Sequence, residues 1–136
     1  MTNPTSPPPH PPEIPQTSIP ASDSPTSDEK NMGMLAHLLV FSGYLIPLGN
    51  IIGPLVIFLI KKDESNYIRH HATEALNFQI SVLIYLIISV ILCFILIGIP
   101  LLIALVIIDL IYTIIATVKA SNGKLYRYPI CIRLVK

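Results

Sequence analysis

The sequence predicts an all-α membrane protein, a bundle of four transmembrane helices, or of three, arranged as two hairpins. Three features support this fold class: two long apolar blocks, turn-forming residues near the middle of each block, and a polar segment between them. Of the 136 residues, 52% are hydrophobic and only 12% are charged, which is about half the charged share of an average soluble protein. A proline-rich N-terminal tail, which we expect to be disordered, precedes the bundle.

The longer apolar block, residues 75–108, contains no charged side chain until Asp109. As one helix it would measure about 50 Å, well beyond the roughly 30 Å hydrocarbon layer of a bilayer. Gly98-Ile99-Pro100 interrupts the block, and proline cannot donate to the helical hydrogen-bond ladder. We therefore predict a hairpin over about residues 75–120, which ends near Gly123 with Lys119 in its last turn.

The shorter apolar block, residues 31–60, contains no Asp, Glu, Lys or Arg. Thr26 and Glu29 match a capping box and predict that a helix starts at about residue 27. The block is interrupted at residues 47–50, and Pro54 is expected at the first position of the next helix, with Asn50 or Gly53 near its cap. The second leg, about residues 50–62, is only about 20 Å long. A single kinked span, which gives three spans in total, is therefore the alternative.

The chain divides into a tail over residues 1–27 and a helical membrane domain over residues 28–136. Nine of the thirteen prolines lie in the tail, whose apolar surface is too small to offset the entropy cost of folding. The membrane domain is predicted to contain a first hairpin at about 28–62, a polar loop at about 61–74, a second hairpin at about 75–120 and an interfacial C-terminal segment at 121–136.

The basic residues lie outside the two hairpin turns. Since positively charged loops stay on the cytoplasmic side, we predict that the polar loop and the C-terminus face the cytoplasm, in a bacterial plasma membrane. Four spans would place the proline-rich tail inside and three would place it outside. The N-terminus has no basic region and no apolar region, so no signal peptide is expected. The residues predicted at the membrane interface are Lys61, Lys62, Tyr126, Arg127 and Tyr128.

Polar residues inside the predicted spans are the candidate functional residues. Asp109 lies in the middle of the last span, where a carboxylate is costly unless it faces protein or water. It is either an ion or proton site or a buried structural acid, and we favour the structural role. Four further residues, with Cys93 after them, recur every four positions on the preceding helix and form a ridge that suits helix packing or, alternatively, a pore lining. They are Asn77, Ser81, Tyr85 and Ser89.

His70, His71 and Glu74 form the one metal-like cluster, with His37 as a further imidazole. A metal site needs three or four ligands, so we interpret the cluster as a polar helical turn. We predict no catalytic, cofactor-binding or metal-binding residue and no cofactor. The net charge of +1 gives no reason to expect a nucleic-acid partner.

Three motifs resemble a known family: GYLIPLGNIIGPLVIFLIKKDES at 43–65, HATEALNFQIS at 71–81 and ASNGKLYRYPICIRLV at 120–135. They closely resemble a widespread bacterial family of small helical membrane proteins catalogued as a domain of unknown function. That family looks distantly similar to the Tic-type component of the chloroplast inner-envelope translocon. The resemblance covers about residues 32–135 and implies an integral protein of three or four spans without established enzymatic activity.

The resemblance also implies that the matching motif positions determine the fold or an interface. Besides residues already named, these positions include Gln79 and Pro129. The residues that we assign to turns or motifs are Gly49, Asn50, Gly53, Pro54 and Glu74.

The predicted function is that of a small non-enzymatic membrane protein that acts through interactions with other membrane proteins. The expected partners are the lipid bilayer and either further copies of the chain or other membrane proteins. The alternatives are a channel, a carrier or a subunit related to protein translocation. A membrane-bound metalloenzyme is less favoured.

Overall fold

The computed structural model describes residues 24–136. Within this range the chain forms four α-helices and two short 3₁₀ segments, without a β-strand. The predicted disordered tail falls largely on residues 1–23, outside the described residues. In chain order the elements are α1 (Ser27–Leu38), a first 3₁₀ segment (Leu39–Tyr44), α2 (Gly49–Lys61), α3 (Asn66–Leu92), a second 3₁₀ segment (Cys93–Ile95) and α4 (Gly98–Ser121).

The predicted start of the first helix is confirmed. The Thr26 hydroxyl accepts a hydrogen bond from the Glu29 amide at 3.2 Å, and the Glu29 carboxylate accepts one from the Thr26 amide at 2.7 Å. This capping box satisfies amides that have no partner at the start of a helix. Glu29 also accepts a hydrogen bond from the Ser65 hydroxyl, so it joins the start of α1 to the start of α3.

The position predicted for Pro54 is wrong. Pro54 is the sixth residue of α2, because the helix already starts at Gly49, after Leu48 in the left-handed conformation (φ 61°). The reason lies in the packing of the first hairpin (α1, the first 3₁₀ segment and α2). A Cβ atom on Gly53 would lie 2.6 Å from the Leu39 Cβ, and one on Gly49 would lie 2.7 Å from the Ser42 carbonyl oxygen. Both glycines therefore let the two legs approach closely.

The predicted break between the last two helices is present, but it lies at residues 93–97, and Gly98-Ile99-Pro100, where we predicted it, form the start of α4. α3 ends at Leu92, Leu96 adopts a left-handed conformation (φ 64°), and α4 starts at Gly98. The polar segment before α3 runs into that helix without interruption, as predicted, and the Ser65 hydroxyl accepts hydrogen bonds from the Tyr67 and Ile68 amides. Gly123 takes the expected left-handed conformation after α4 (φ 71°). We call α3 and α4 the second hairpin.

α3 is the central helix and packs against α1, α2 and α4. One end of the bundle, which we call the charged end, contains the starts of α1 and α3 together with the ends of α2 and α4. The turn that joins α3 to α4 lies at the opposite end, and we call it the far turn. Two clusters form the core: one joins the first hairpin to α3 around Ala36 and Ala72, and one joins α3, α4 and the C-terminal segment around Phe78 and Ala116.

Two helices of the described range are long and apolar enough to cross a membrane: α3 with its 3₁₀ extension, and α4. The most apolar 18 residues of each have a mean hydropathy of 2.7. Only 28% of the most apolar stretch of α3 and 11% of that of α4 is buried. The core helices of a soluble protein would be mostly buried, so these exposed apolar surfaces indicate contact with lipid. The structure thus supports two of the four predicted spans, and α1 and α2 are shorter.

Residues 122–136 have no regular secondary structure. From here on we call this C-terminal segment the tail, and we call residues 1–27 the N-terminal tail. The tail leaves the charged end, reverses near Ile130, whose φ is 52°, and returns beside α3. Its two arms contact α3 through hydrogen bonds and, at Tyr128, through packing against Phe78.

Candidate functional site

The polar ridge of α3 binds the tail. The Asn77 side chain donates to the Val135 carbonyl at 2.8 Å and accepts from the Leu134 and Val135 amides at 2.9 and 2.6 Å. The Ser81 hydroxyl accepts from the Ile132 amide at 2.8 Å. Irregular backbone is tolerated at membrane depth only where its polar groups are satisfied by protein or water. The ridge therefore satisfies backbone groups of the tail, a role that we did not predict from the sequence.

The ridge divides into two parts along α3. Tyr85 continues the tail-binding part, because its hydroxyl donates to the Ile130 carbonyl at 3.2 Å. Ser89 and Cys93 lie next to the far turn instead, in the last turn of α3 and in the second 3₁₀ segment. A Cβ atom on Gly98 would overlap the backbone carbonyl oxygen of Ser89 and the backbone amide of Cys93, so the start of α4 lies directly against the backbone here.

Glu74 anchors the tail at the charged end. Its side chain is buried, accepts a hydrogen bond from the Tyr128 amide at 3.0 Å and forms an ion pair with the Arg133 Nε at 3.2 Å. Arg127 is 3.8 Å away, but its side chain is 67% exposed, so solvent weakens that pair. A buried carboxylate needs a charge partner and hydrogen bonds to offset its desolvation, and Glu74 has both.

Two buried histidines and a tyrosine form a series of hydrogen-bonded contacts that we call the histidine network. His37 Nε2 lies 3.0 Å from His71 Nδ1, and the Tyr128 hydroxyl lies 3.0 Å from His37 Nδ1. When the phenol donates to His37, the His37 Nε2–H donates to His71, and every contact has one donor and one acceptor. Among the described residues, His71 Nε2 has no hydrogen-bond partner. The network joins α1, α3 and the tail.

A second group, the midspan network, surrounds Asp109. Gln79 donates to the Asp109 carboxylate at 2.8 Å and accepts from the Asn50 side chain at 2.9 Å. The Thr113 hydroxyl also donates to Asp109, at 3.5 Å. These contacts connect α2, α3 and α4 at one level.

A cavity of about 200 Å³ lies beside the midspan network. Asp109 and Asn50 provide its polar lining, and Tyr44 and Val82 lie among its other walls. The cavity lies between the end of the first hairpin and the two long helices. A carboxylate next to a cavity is also the arrangement that a channel or a carrier requires.

The predicted interfacial residues lie near the charged end in different settings. Lys61 forms an ion pair with Glu64 at 2.7 Å, and the Lys62 ammonium lies 5.4 Å above the ring of Phe58. Tyr126 is partly buried and its carbonyl contacts His70 Nε2 at 3.0 Å. Tyr128 is buried and stacks on Phe78, with ring centres 4.0 Å apart. Tyr128 is thus part of the protein core instead of facing lipid headgroups.

Burial and hydrogen bonding shift the pKa values of several groups outside the two long helices. Burial raises the pKa of the Tyr128 hydroxyl well above its usual value, so the hydroxyl stays protonated and remains able to donate. Burial also raises the pKa of the Cys131 thiol. The Ser65 hydroxyl, followed by the Thr26 amide, lowers the pKa of Glu29.

The described residues contain no group of three His, Cys, Asp or Glu side chains that could bind a metal ion. His70 and His71 lie next to each other in α3, but they contact different partners: the Tyr126 carbonyl and His37. The two neighbouring imidazoles therefore make separate structural contacts in the described range.

Sequence reasoning missed three residues of these networks as site residues: His37, Thr113 and Arg133. Their partners are 34, 4 and 59 positions away in the chain, so for His37 and Arg133 no local spacing could reveal the pairing. Gln79 had a usable signal, because it is a polar residue at the depth of Asp109 on the neighbouring predicted span.

The exposed apolar surfaces of the long helices and the buried polar networks define a small helical, membrane-associated protein. Residues 28–135 match the model of the magnetosome magnetite crystal formation protein family, MamF/MmsF. The match covers most of the chain, and the chain belongs to this family.

No curated protein and no solved structure matches the chain significantly. The resemblance to a bacterial membrane-protein family is thus supported at the level of family membership. The similarity to the chloroplast translocon component is not supported by these findings.

Proposed function

We propose that this chain is a non-enzymatic component of a magnetosome membrane, where it supports magnetite crystal formation by binding copies of itself or other membrane proteins. The family description provides the process. The observation that carries the mode of action is that the two carboxylates within the bundle, Asp109 and Glu74, are bound by other groups of the chain. Asp109 is bound by Gln79 and Thr113, and Glu74 by Arg133 and Tyr128, whereas the long helices expose apolar surface that other membrane helices can contact.

The composition of the far turn supports a role in crystal formation that does not depend on metal binding by this turn. Residues 94–100, FILIGIP, have no carboxylate, imidazole or thiol, which are the usual protein ligands of transition metals. The charged residues of the described range lie near the charged end, except Asp109. The predicted cytoplasmic orientation of that end would place the apolar far turn on the other side of the membrane. The full four-span arrangement remains a prediction.

A second function has one observation in its favour. The cavity beside Asp109 gives a carboxylate within a span access to open space, as a channel or carrier for cations would need. In that case the carboxylate charge is essential. In the favoured function only its hydrogen bonds matter, and an amide can provide those.

The discriminating experiment replaces the native family member of a magnetite-forming bacterium with this chain, as wild type or as Asp109→Asn. For the favoured function we expect both forms to accumulate equally and to restore crystal size, measured by electron microscopy. Asp109→Leu, which leaves the Gln79 amide without its acceptor, should instead reduce the amount of folded protein.

Loss of crystals in Asp109→Asn at normal protein level would contradict the favoured function and support the channel or carrier. Cation flux into vesicles containing the purified protein, abolished by Asp109→Asn, would do the same. Leu110→Ala serves as the matched control, because Leu110 is an exposed neighbour on the same helix.

A further inference from the structure

The tip of the first hairpin, residues 45–48, lies beside the middle of the second hairpin. Asn50, next to the tip, bonds to Gln79, and Gln79 bonds to Asp109. From Gln79 the chain continues to Ile95 for roughly 24 Å, at a rise of about 1.5 Å per residue. The tip extends past Asn50 by about one helical turn, roughly 5 Å. It therefore stops about 20 Å short of the far turn, whereas the hydrocarbon layer is about 30 Å thick.

The length of α2 gives a second estimate of this depth: the first leaves the tip about 10 Å inside a layer of about 30 Å, and the second places it deeper. Its 13 residues measure about 20 Å, and its last residue, Lys61, lies at the charged end, where it pairs with Glu64. A helix that starts at the charged end and has this length reaches the middle of the bilayer but not its opposite surface.

The surface of the tip is apolar and exposed. Leu45 is 87% exposed, and Ile46 and Leu48 are exposed as well. The backbone of the tip is partly satisfied from within, since the Leu45 and Ile46 amides donate to the Ser42 carbonyl at 3.0 and 2.9 Å and the Gly49 amide donates to Ile46 at 2.9 Å. Exposed apolar side chains on an internally bonded turn suit hydrocarbon better than water.

We propose that the first hairpin enters the membrane from the charged end and stops near mid-depth, without crossing. The leaflet at the charged end then contains four helices and the tail, whereas the opposite leaflet contains only α3 and α4. The protein occupies more area in one leaflet than in the other. Its partner is thus a curved lipid bilayer, convex on the side of the charged end.

Depth-dependent fluorescence quenching tests the position of the tip. The chain contains no tryptophan, so one introduced tryptophan is the only indole signal. Leu45→Trp places it at the tip, and Phe94→Trp is the matched control at the far turn, where Phe94 is 90% exposed. Each full-length variant is reconstituted into phosphatidylcholine and phosphatidylglycerol vesicles whose acyl chains are brominated at shallow or deep positions.

We expect deep bromines to quench Leu45→Trp most strongly and shallow bromines to quench Phe94→Trp most strongly. Equal, shallow quenching of both variants would show that the first hairpin crosses the membrane or lies at its surface, and would overturn the proposal. Circular dichroism and protease resistance confirm that each variant is folded, and Ile46→Trp provides a second reporter for the tip.

Sorting between vesicles of different size tests the shape. The labelled wild-type chain is reconstituted into a mixed population of vesicles of the same lipids, and trypsin added outside identifies molecules whose charged end faces outward. Outward-facing molecules should be severalfold denser per membrane area in the smallest vesicles than in the largest. Inward-facing molecules should show the reverse trend. Equal densities for both orientations would overturn the curvature preference, and neither result depends on crystal formation.

Discussion

At the residue scale, single side chains of α3 connect segments that are far apart in the chain. Asn77 satisfies three backbone groups of the tail, and Glu74 binds both a tail amide and Arg133. An asparagine has both a carbonyl and an NH₂ group, so it can replace the strand partner that the tail lacks. This versatility explains why polar residues recur on a helix that is otherwise apolar.

The first prediction concerns Asn77→Leu. The substitution leaves two amides and one carbonyl of the tail without partners, and we expect it to lower the free energy of unfolding by about 1–3 kcal/mol and to release the tail. Trypsin cleavage after Arg133, followed by mass spectrometry in detergent, measures the release. Asn66→Leu is the control, since Asn66 is an exposed asparagine on the same helix. Unchanged cleavage of Asn77→Leu would show that the tail is held by other contacts.

The second prediction is a pH dependence at Glu29. Its pKa lies below the ordinary 4.5 because the Ser65 hydroxyl and the Thr26 amide bond to the carboxylate. A lowered pKa in the folded state means that the carboxylate stabilises the fold above the unfolded value, and that this contribution is lost as the pH falls through the folded value. The difference in apparent Tm between wild type and Glu29→Gln should therefore be present at pH 6 and vanish in the acid range below pH 4.5.

Thermal unfolding in a non-ionic detergent measures this difference. Asp28→Asn is the matched control, because it removes a carboxylate from the same helical turn without removing the contact to Ser65. A difference that persists unchanged at pH 3 would contradict the assignment to the Glu29 carboxylate.

At the element scale, the two hairpins rely on different glycines for their close approach. Gly53 and Gly49 lie where the legs of the first hairpin meet, and Gly98 lies where α4 touches the end of α3. Backbone atoms cannot move aside as a flexible side chain can. The far turn should therefore tolerate even a methyl group poorly.

The third prediction follows from that contact. A Cβ atom on Gly98 would overlap the Ser89 carbonyl and the Cys93 amide, so Gly98→Ala should prevent the far turn from forming and lower the yield of folded protein several-fold. Gly33→Ala is the control, because its Cβ would meet only side-chain atoms of Tyr67 and His71, at 3.0 and 3.2 Å. Size-exclusion chromatography in detergent gives the yield, and normal recovery of Gly98→Ala would refute the prediction.

At the scale of the whole molecule, the charged residues gather at one end and the apolar surface extends to the other. This asymmetry predicts that the segment after α2 and the end of the tail face the same side of the membrane. The four predicted crossings and the two crossings of the arrangement that we propose above have the same consequence. A three-span arrangement also keeps these two segments together but moves the N-terminal tail.

The fourth prediction is tested by labelling single introduced cysteines. The two native thiols are first removed by Cys93→Ser and Cys131→Ser. Asp63→Cys and Lys136→Cys should both react with an impermeant maleimide in inverted vesicles, which expose the cytoplasmic side, and should not react in intact cells. Ile97→Cys, at the far turn, should not react from that side. Labelling of the first two from opposite sides would disprove the common orientation.

The sequence by itself determined the class of the protein and most of its helix boundaries. Long apolar blocks, the capping box at Thr26 and the proline near the start of α4 are local signals, because helix length, caps and proline act over a few residues. They were enough to predict the second hairpin, the continuation of the polar loop into α3 and the start of α1.

Only the tertiary structure decided how these elements meet. The depth of the first hairpin depends on the contact of Asn50 with Gln79, the docking of the tail depends on Asn77 and Glu74, and the burial of Tyr128 depends on His37. These contacts join residues that are 29 to 91 positions apart. Hydrogen bonds between such distant residues leave no periodic pattern in the chain, because their geometry exists only after the helices have packed.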